Sequence, residues 1–290
     1  MDAKAAKIPG WPCPTCNTFV TTPFCAQCGE APVSVREQSL RGLAERLFEA
    51  FTSIDTRVAR SVACLLRHPG ALTLTWTKGV RKTFVAPITL FLLVNVLFFA
   101  VQSLTGETVF SSSLYSHLHH QDWSEFARSL VARKLVVSGT SLDVYAPIFD
   151  NAVVVHAKSL IILMTVPFAL LLPLAFWRAR RPLMTHVVFS LHLYTFLLIL
   201  FCLALLAAKA SAWLGLGGLE TPAVDNVLSI FNLAACGLYL YVAIGPVYET
   251  AGGRRVLQAI VLAIAVAAIV IGYRFVLLLI TLFTTSSGVP

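Results

Sequence analysis

The chain has 290 residues, of which 57% are hydrophobic and 12% charged. Soluble domains carry about 25% charged residues, so this composition, with a mean hydropathy of +0.79, excludes an ordinary soluble fold and points to an integral membrane protein. The formal charge of +8 then reads as basic loops facing anionic lipid rather than as a nucleic-acid surface, and no nucleic-acid partner is expected.

The first feature in chain order is "CPTCNTFVTTPFCAQC", Cys13 to Cys28. Two C-x2-C knuckles separated by eight residues can complete a tetrahedral four-thiolate site at Cys13, Cys16, Cys25 and Cys28, in the manner of a zinc ribbon. Thiolates in a reducing compartment select zinc. An iron site, a redox dithiol pair and a bare reduced loop are the alternatives. Four thiolates leave no open coordination position, so the Zn2+ is expected to be structural and to hold the segment 1–35 folded. Cys64, Cys202 and Cys236 sit in helical or apolar stretches and read as small buried hydrophobes. The first 80 residues contain no apolar stretch of signal-peptide type, so the first span is expected to direct its own insertion.

Residues 36–83 carry two helical patterns. Leu40, Leu43, Ala44, Leu47, Phe48 and Phe51 share one face, opposite Arg41, Glu45, Arg46 and Glu49. A second pattern, opening at a cap in "TSID", places Ile54, Val58, Val62, Leu65 and Leu66 together, with Arg57, Arg60 and Arg67 off that face; "HPG" at 68–70 ends it. Such a hairpin packs against itself or the bundle, or lies on the inner leaflet as a basic amphipathic helix. Trp76, Lys78, Arg81 and Lys82 are interfacial anchors before the first span.

Two stretches here carry a family resemblance. "RHPG" at Arg67 to Gly70, and Gly79, Arg81, Phe84 and Pro87, which approximate a G-K-R-x-x-Y-x-x-P motif, resemble a bacterial family of uncharacterised multi-pass membrane proteins catalogued as a domain of unknown function. Members begin with a short zinc ribbon. The resemblance covers about the first hundred residues. It implies the architecture and a bacterial inner-membrane location, and supplies no activity.

Five apolar runs are long enough for a hydrocarbon core of about 30 Å. They lie at about 84–103, 158–177, 187–208, 226–248 and 256–283. The expected fold class is therefore all-α, a bundle of about five transmembrane helices (84–290) behind the ribbon and hairpin. Lys78, Arg81 and Lys82, then Arg178, Arg180 and Arg181, then Arg254 and Arg255 flank alternate spans. The positive-inside rule puts these flanks in the cytoplasm, the N-terminus inside and the C-terminus outside. Residues 104–157 are then a large outer loop with a short amphipathic helix over 122–137.

Candidate chemistry is sparse. Arg274 interrupts the last span; it snorkels, or the helix ends near Tyr273 with the tail along the outer interface, or it faces the bundle interior as a site for an anionic group. Asn95, His192 and Asn232 suit interhelical hydrogen bonds. His117, His119 and His120 in the outer loop are the only candidates for catalysis and a second one for metal, a reading weaker than that of a solvated loop. No nucleophile elbow, H-E-x-x-H pair or phosphate loop is present, so no catalytic residue is assigned. The expected function is non-enzymatic: a membrane protein whose cytoplasmic ribbon and hairpin dock a cytoplasmic or membrane partner. The alternative is a transporter or lipid-handling protein using Arg274 and the polar residues of the bundle.

Overall fold

The computed structural model describes residues 10–13, 16, 18–22, 24–27, 56–79, 83–106, 110–215 and 222–285. The chain divides into two units, Met1–Thr56 and Arg57–Pro290. The first helical pattern, 40–51, lies outside the described residues, as do Ile54, Arg81 and Lys82.

In the first unit a two-stranded antiparallel hairpin pairs β1 (Trp11–Pro12) with β2 (Phe19–Val20), with Trp11 opposite Val20 and Pro12 opposite Phe19. Cys13 continues the ladder by donating its N–H to the Thr18 carbonyl at 3.0 Å.

The second unit is helical. A helix over 57–67 (α1) and a short α2 (Ala71–Thr77) precede α3 (Pro87–Thr105), α4 (Leu114–His119), α5 (Ser124–Ser138), α6 (Leu142–Leu160), α7 (Thr165–Ala175), α8 (Leu183–Trp213), α9 (Pro222–Tyr248) and α10 (Gly252–Thr284). Five helical segments are long and apolar enough to cross a bilayer: α3, the combined α6–α7 over Leu142–Ala175, α8, Asn226–Tyr248 within α9, and α10. Pro87 begins α3, where its missing N–H costs nothing, and Gly106 ends it in the left-handed conformation at φ 77°.

The core forms around α8, which packs against α2, α3, α7 and α9. Leu193, Leu197 and Leu205 of α8 are buried there with Phe91 and Phe98 of α3 and Phe168 of α7. The outward faces carry Leu92, Val96, Leu97, Leu170, Leu203, Ile230, Leu238 and Ile264, all exposed. An apolar surface of this extent suits lipid and not water.

The second crossing differs from the sequence reading. Its helix begins at Leu142, not near 158, and continues through a 3-10 turn over Ile161–Met164 into α7. Asp143, Asp150 and Asn151 lower the local hydropathy, yet Tyr145, Phe149, Val153 and Ala157 recur every fourth residue and are buried. The 3-10 turn precedes Pro167, which cannot donate to the Leu163 carbonyl. The Ser190 hydroxyl donates to the nearby Thr165 carbonyl at 2.7 Å.

At about 1.5 Å per residue, α6–α7 and α10 are each roughly 50 Å long, some 20 Å more than a hydrocarbon core requires. The surplus of both lies at the same end. Tyr145 and Thr285 share a hydroxyl hydrogen bond of 2.7 Å, and His156 shares one of 3.0 Å with Thr281. Helices α4 and α5 pack there too; Asp150 of α6 accepts the Leu114 N–H at the start of α4 at 2.7 Å. Much of the expected outer loop is therefore a helical cap built on extended transmembrane helices.

The opposite end gathers the basic flanks. Arg181 donates from Nε to the Val247 carbonyl at 3.0 Å and is ion-paired with Glu249 at 2.5 Å. Pro246 leaves the Val242 carbonyl of α9 without its helical N–H, and Arg255 fills the gap by donating to it from Nη2 at 3.0 Å. Arg255 also bonds the Tyr241 carbonyl and lies over the Tyr241 ring, 4.3 Å from its centroid. A Cβ on Gly245 would sit 2.5 Å from the Arg255 Cζ, so glycine is what lets the guanidinium lie flat across the kink.

Helices α1 and α2 belong to this end. Val58, Val62 and Leu65 face the core, whereas Leu66, expected on the same face, is 44% exposed; at α1's pitch its Cβ is rotated off the stripe. Arg57 donates from Nη2 to the Phe84 carbonyl at 2.7 Å, and the Ser61 hydroxyl accepts the Val85 N–H at 3.0 Å. Both contacts satisfy the chain just before α3. Between α1 and α2, Gly70 adopts φ +87°, and a Cβ there would meet the Ala243 carbonyl oxygen at 2.6 Å. The HPG turn thus lets α2 wedge against α8 and α9, where Thr73 shares a 2.8 Å hydrogen bond with His192. Of the second helical pattern, the described part, α1, packs on the bundle; the first pattern lies outside the described residues.

Candidate functional site

Three of the four ribbon cysteines are described, and they converge. The Sγ atoms of Cys13, Cys16 and Cys25 all lie within 4.8 Å of one another, and those of Cys16 and Cys25 are 3.5 Å apart. Thiolates about 2.3 Å from a tetrahedral zinc are separated by about 3.8 Å, so the donor set fits such an ion. Cys13 and Cys25 are buried with Val20, against Trp11. Hydrogen bonding to the Thr18 hydroxyl and backbone, then to Cys25, holds the half-buried Cys16 thiol down at about 6, which favours the thiolate a metal needs. Cys28, the expected fourth ligand, lies outside the described residues. What the geometry gives is a three-cysteine group that could hold a metal ion.

The other singled-out residues do not gather into one centre. His117 is buried in the cap, accepting the Trp123 Nε1–H at Nδ1 (3.2 Å), while His119 and His120 point out and pack on Tyr115. Burial, and behind it the Arg274 charge, pushes His117 down to about 4, so the ring stays neutral. Among the described residues the one group of three or more possible ligands is the cysteine cluster.

Arg274 lies within a continuous α10 that runs on to Thr284, which rules out a helix end near Tyr273. Its side chain is half-buried and lines a cleft of about 510 Å³ between α8, α9 and α10. Asn232 reaches the same cleft from α9, and Phe110 covers it from the segment before α4. Phe110 is held edge-on against Phe98, Phe201 and Tyr273, and Trp123 and Phe126 of the cap pack on Phe275 next to Arg274. Sequence reading singled out Arg274 and Asn232 separately; their meeting depends on the crossing of α9 and α10, which no local pattern encodes.

A family model described as "Protein of unknown function (DUF3667)" matches residues 55–99. That stretch is α1, the Gly70 turn, α2 and the first half of α3, the wedge described above. No curated protein and no solved structure matches the chain.

Proposed function

We propose that this chain is a non-enzymatic protein of a bacterial inner membrane whose N-terminal ribbon holds zinc and docks a protein partner on the cytoplasmic side. One observation carries the docking role. Phe19 is 70% and Phe24 63% exposed in a segment of a few residues where Cys13 and Cys25 are buried. A fold this small does not leave two phenylalanines in water without cost, and exposed aromatics are favoured anchors of protein interfaces. Of the hairpin that the docking role also includes, α1 spends its apolar face on the bundle, and the pattern over 40–51 lies outside the described residues. The cytoplasmic assignment rests on the basic flanks, whose excess favours that side, and on the thiols, which stay reduced there.

The test uses the full chain in native membranes, with a photo-cross-linking residue at position 24. A discrete adduct is expected that weakens in Phe19→Ala, while that variant keeps the zinc content of the parent. Cys13→Ser is expected to lose both metal and adduct. A chain that carries no metal, or one whose adducts ignore both substitutions, contradicts the proposal.

A further inference from the structure

The cleft beside Arg274 has the layout of an amphiphile site. Arg254 and Arg255 sit at the start of α10, and Arg274 follows Arg255 by roughly 29 Å at about 1.5 Å per residue, close to the thickness of a hydrocarbon core. If the basic end of α10 marks one interface, Arg274 stands at the level of the opposite one. From there the cleft descends along α10 to Ala263, about 17 Å, with Ala267 on the way and Phe201 on the α8 wall. Its volume of about 510 Å³ falls within the range of about 300–1,000 Å³ usual for ligand sites. Leu233 and Ile271 on its rim are exposed on the apolar outer face of the bundle, so it opens sideways, toward lipid.

We infer that this cleft binds one acyl chain of an anionic phospholipid, with the phosphate at Arg274 and the glycerol region beside Asn232. Charge complementarity selects the occupant. A guanidinium above an apolar groove matches a phosphate above an acyl chain, and the lining holds no carboxylate among the described residues to take up a zwitterion's ammonium, so the net charge at the site favours an anionic headgroup. Counted from the ends of α9 and α10 at Tyr248 and Gly252, at about 1.5 Å per residue, Asn232 comes about a turn or two before the level of Arg274, and its Oδ1 is buried without a hydrogen-bond partner among the described residues. It therefore stands where the glycerol linkage of such a lipid would come, below the phosphate. This inference is independent of the ribbon and of what docks on it.

The experiment places the full chain in nanodiscs of equal parts phosphatidylcholine and phosphatidylglycerol and reads the lipid that stays bound when the discs are disrupted in a mass spectrometer. One phosphatidylglycerol per chain is expected, in preference to phosphatidylcholine. Arg274→Gln should reduce it about tenfold, the worth of one charge-assisted contact. Ala267→Phe, which leaves the charge in place and fills the groove, should do the same, and carries the test if Arg274→Gln does not fold. Equal retention of the two lipids, undiminished phosphatidylglycerol in the folded variants, or displacement by dodecanoate with no retention of either phospholipid would each overturn the inference.

Discussion

Replacing Gly70 with alanine tests the claim that the HPG turn is a packing device. Two costs add at this position. The backbone sits at φ +87°, where a Cβ costs about 1 kcal/mol. The new Cβ would also meet the Ala243 carbonyl oxygen at 2.6 Å and the Ala243 Cα at 3.1 Å. These are backbone atoms of α9 and cannot rotate away, so α2 must back out of its wedge, an overpacking cost of about 1–3 kcal/mol. Gly106 supplies the control, since it also has a positive φ (+77°) but nothing within 4 Å of its would-be Cβ. Gly106→Ala should therefore lose about 1 kcal/mol and Gly70→Ala about 3 kcal/mol. Chemical unfolding of the two variants and the parent in the same micelles measures both. Backing α2 out also strains the Thr73–His192 hydrogen bond, so Gly70→Ala and Thr73→Val should be less than additive. Equal losses for the two glycine variants would mean that only the turn's backbone angle matters and that the wedge is not tight.

Two other outcomes follow from contacts named above. Arg255→Ala leaves the Val242 and Tyr241 carbonyls at the Pro246 kink without their side-chain donor and removes the stacking on Tyr241, a loss of about 1–2 kcal/mol. Because Gly245→Ala pushes out the same guanidinium, the double variant should cost little more than either single one, and strict additivity would refute the lock. His117 is neutral in the fold down to about 4 but takes a proton in the unfolded chain near 6.5. Its contribution is therefore present above pH 6.5 and drains away as pH falls toward 4, by about 3 kcal/mol in all. His117→Asn, which can still accept from Trp123, should flatten the acid limb of a thermal-stability profile across that window; an unchanged slope would place the histidine in water.

The sequence by itself determined the number of crossings and the cysteine cluster, because both are local signals. An apolar run of about 20 residues has the length a hydrocarbon core needs, whatever its neighbours, so α3, α8, α9 and α10 were readable within a few residues of their ends. Two C-x2-C pairs state their chemistry through spacing alone, and three of those four sulfurs converge. The true start of α6 was hidden because hydropathy counts Asp143 and Asp150 against a membrane helix, while the burial of Tyr145, Phe149 and Val153 depends on α4 and α10 arriving to cover them. Arg274 read alone was an anomaly in a long span. Only the tertiary structure decided that it lines a cleft with Asn232 and lies under a helical cap, since that outcome is set by how α8, α9 and α10 cross. Gly70 and Gly245 make the same point at smaller scale: each is glycine because of an atom from another helix, Ala243 of α9 for the first and Arg255 of α10 for the second, and distance in space is what a linear sequence does not write down.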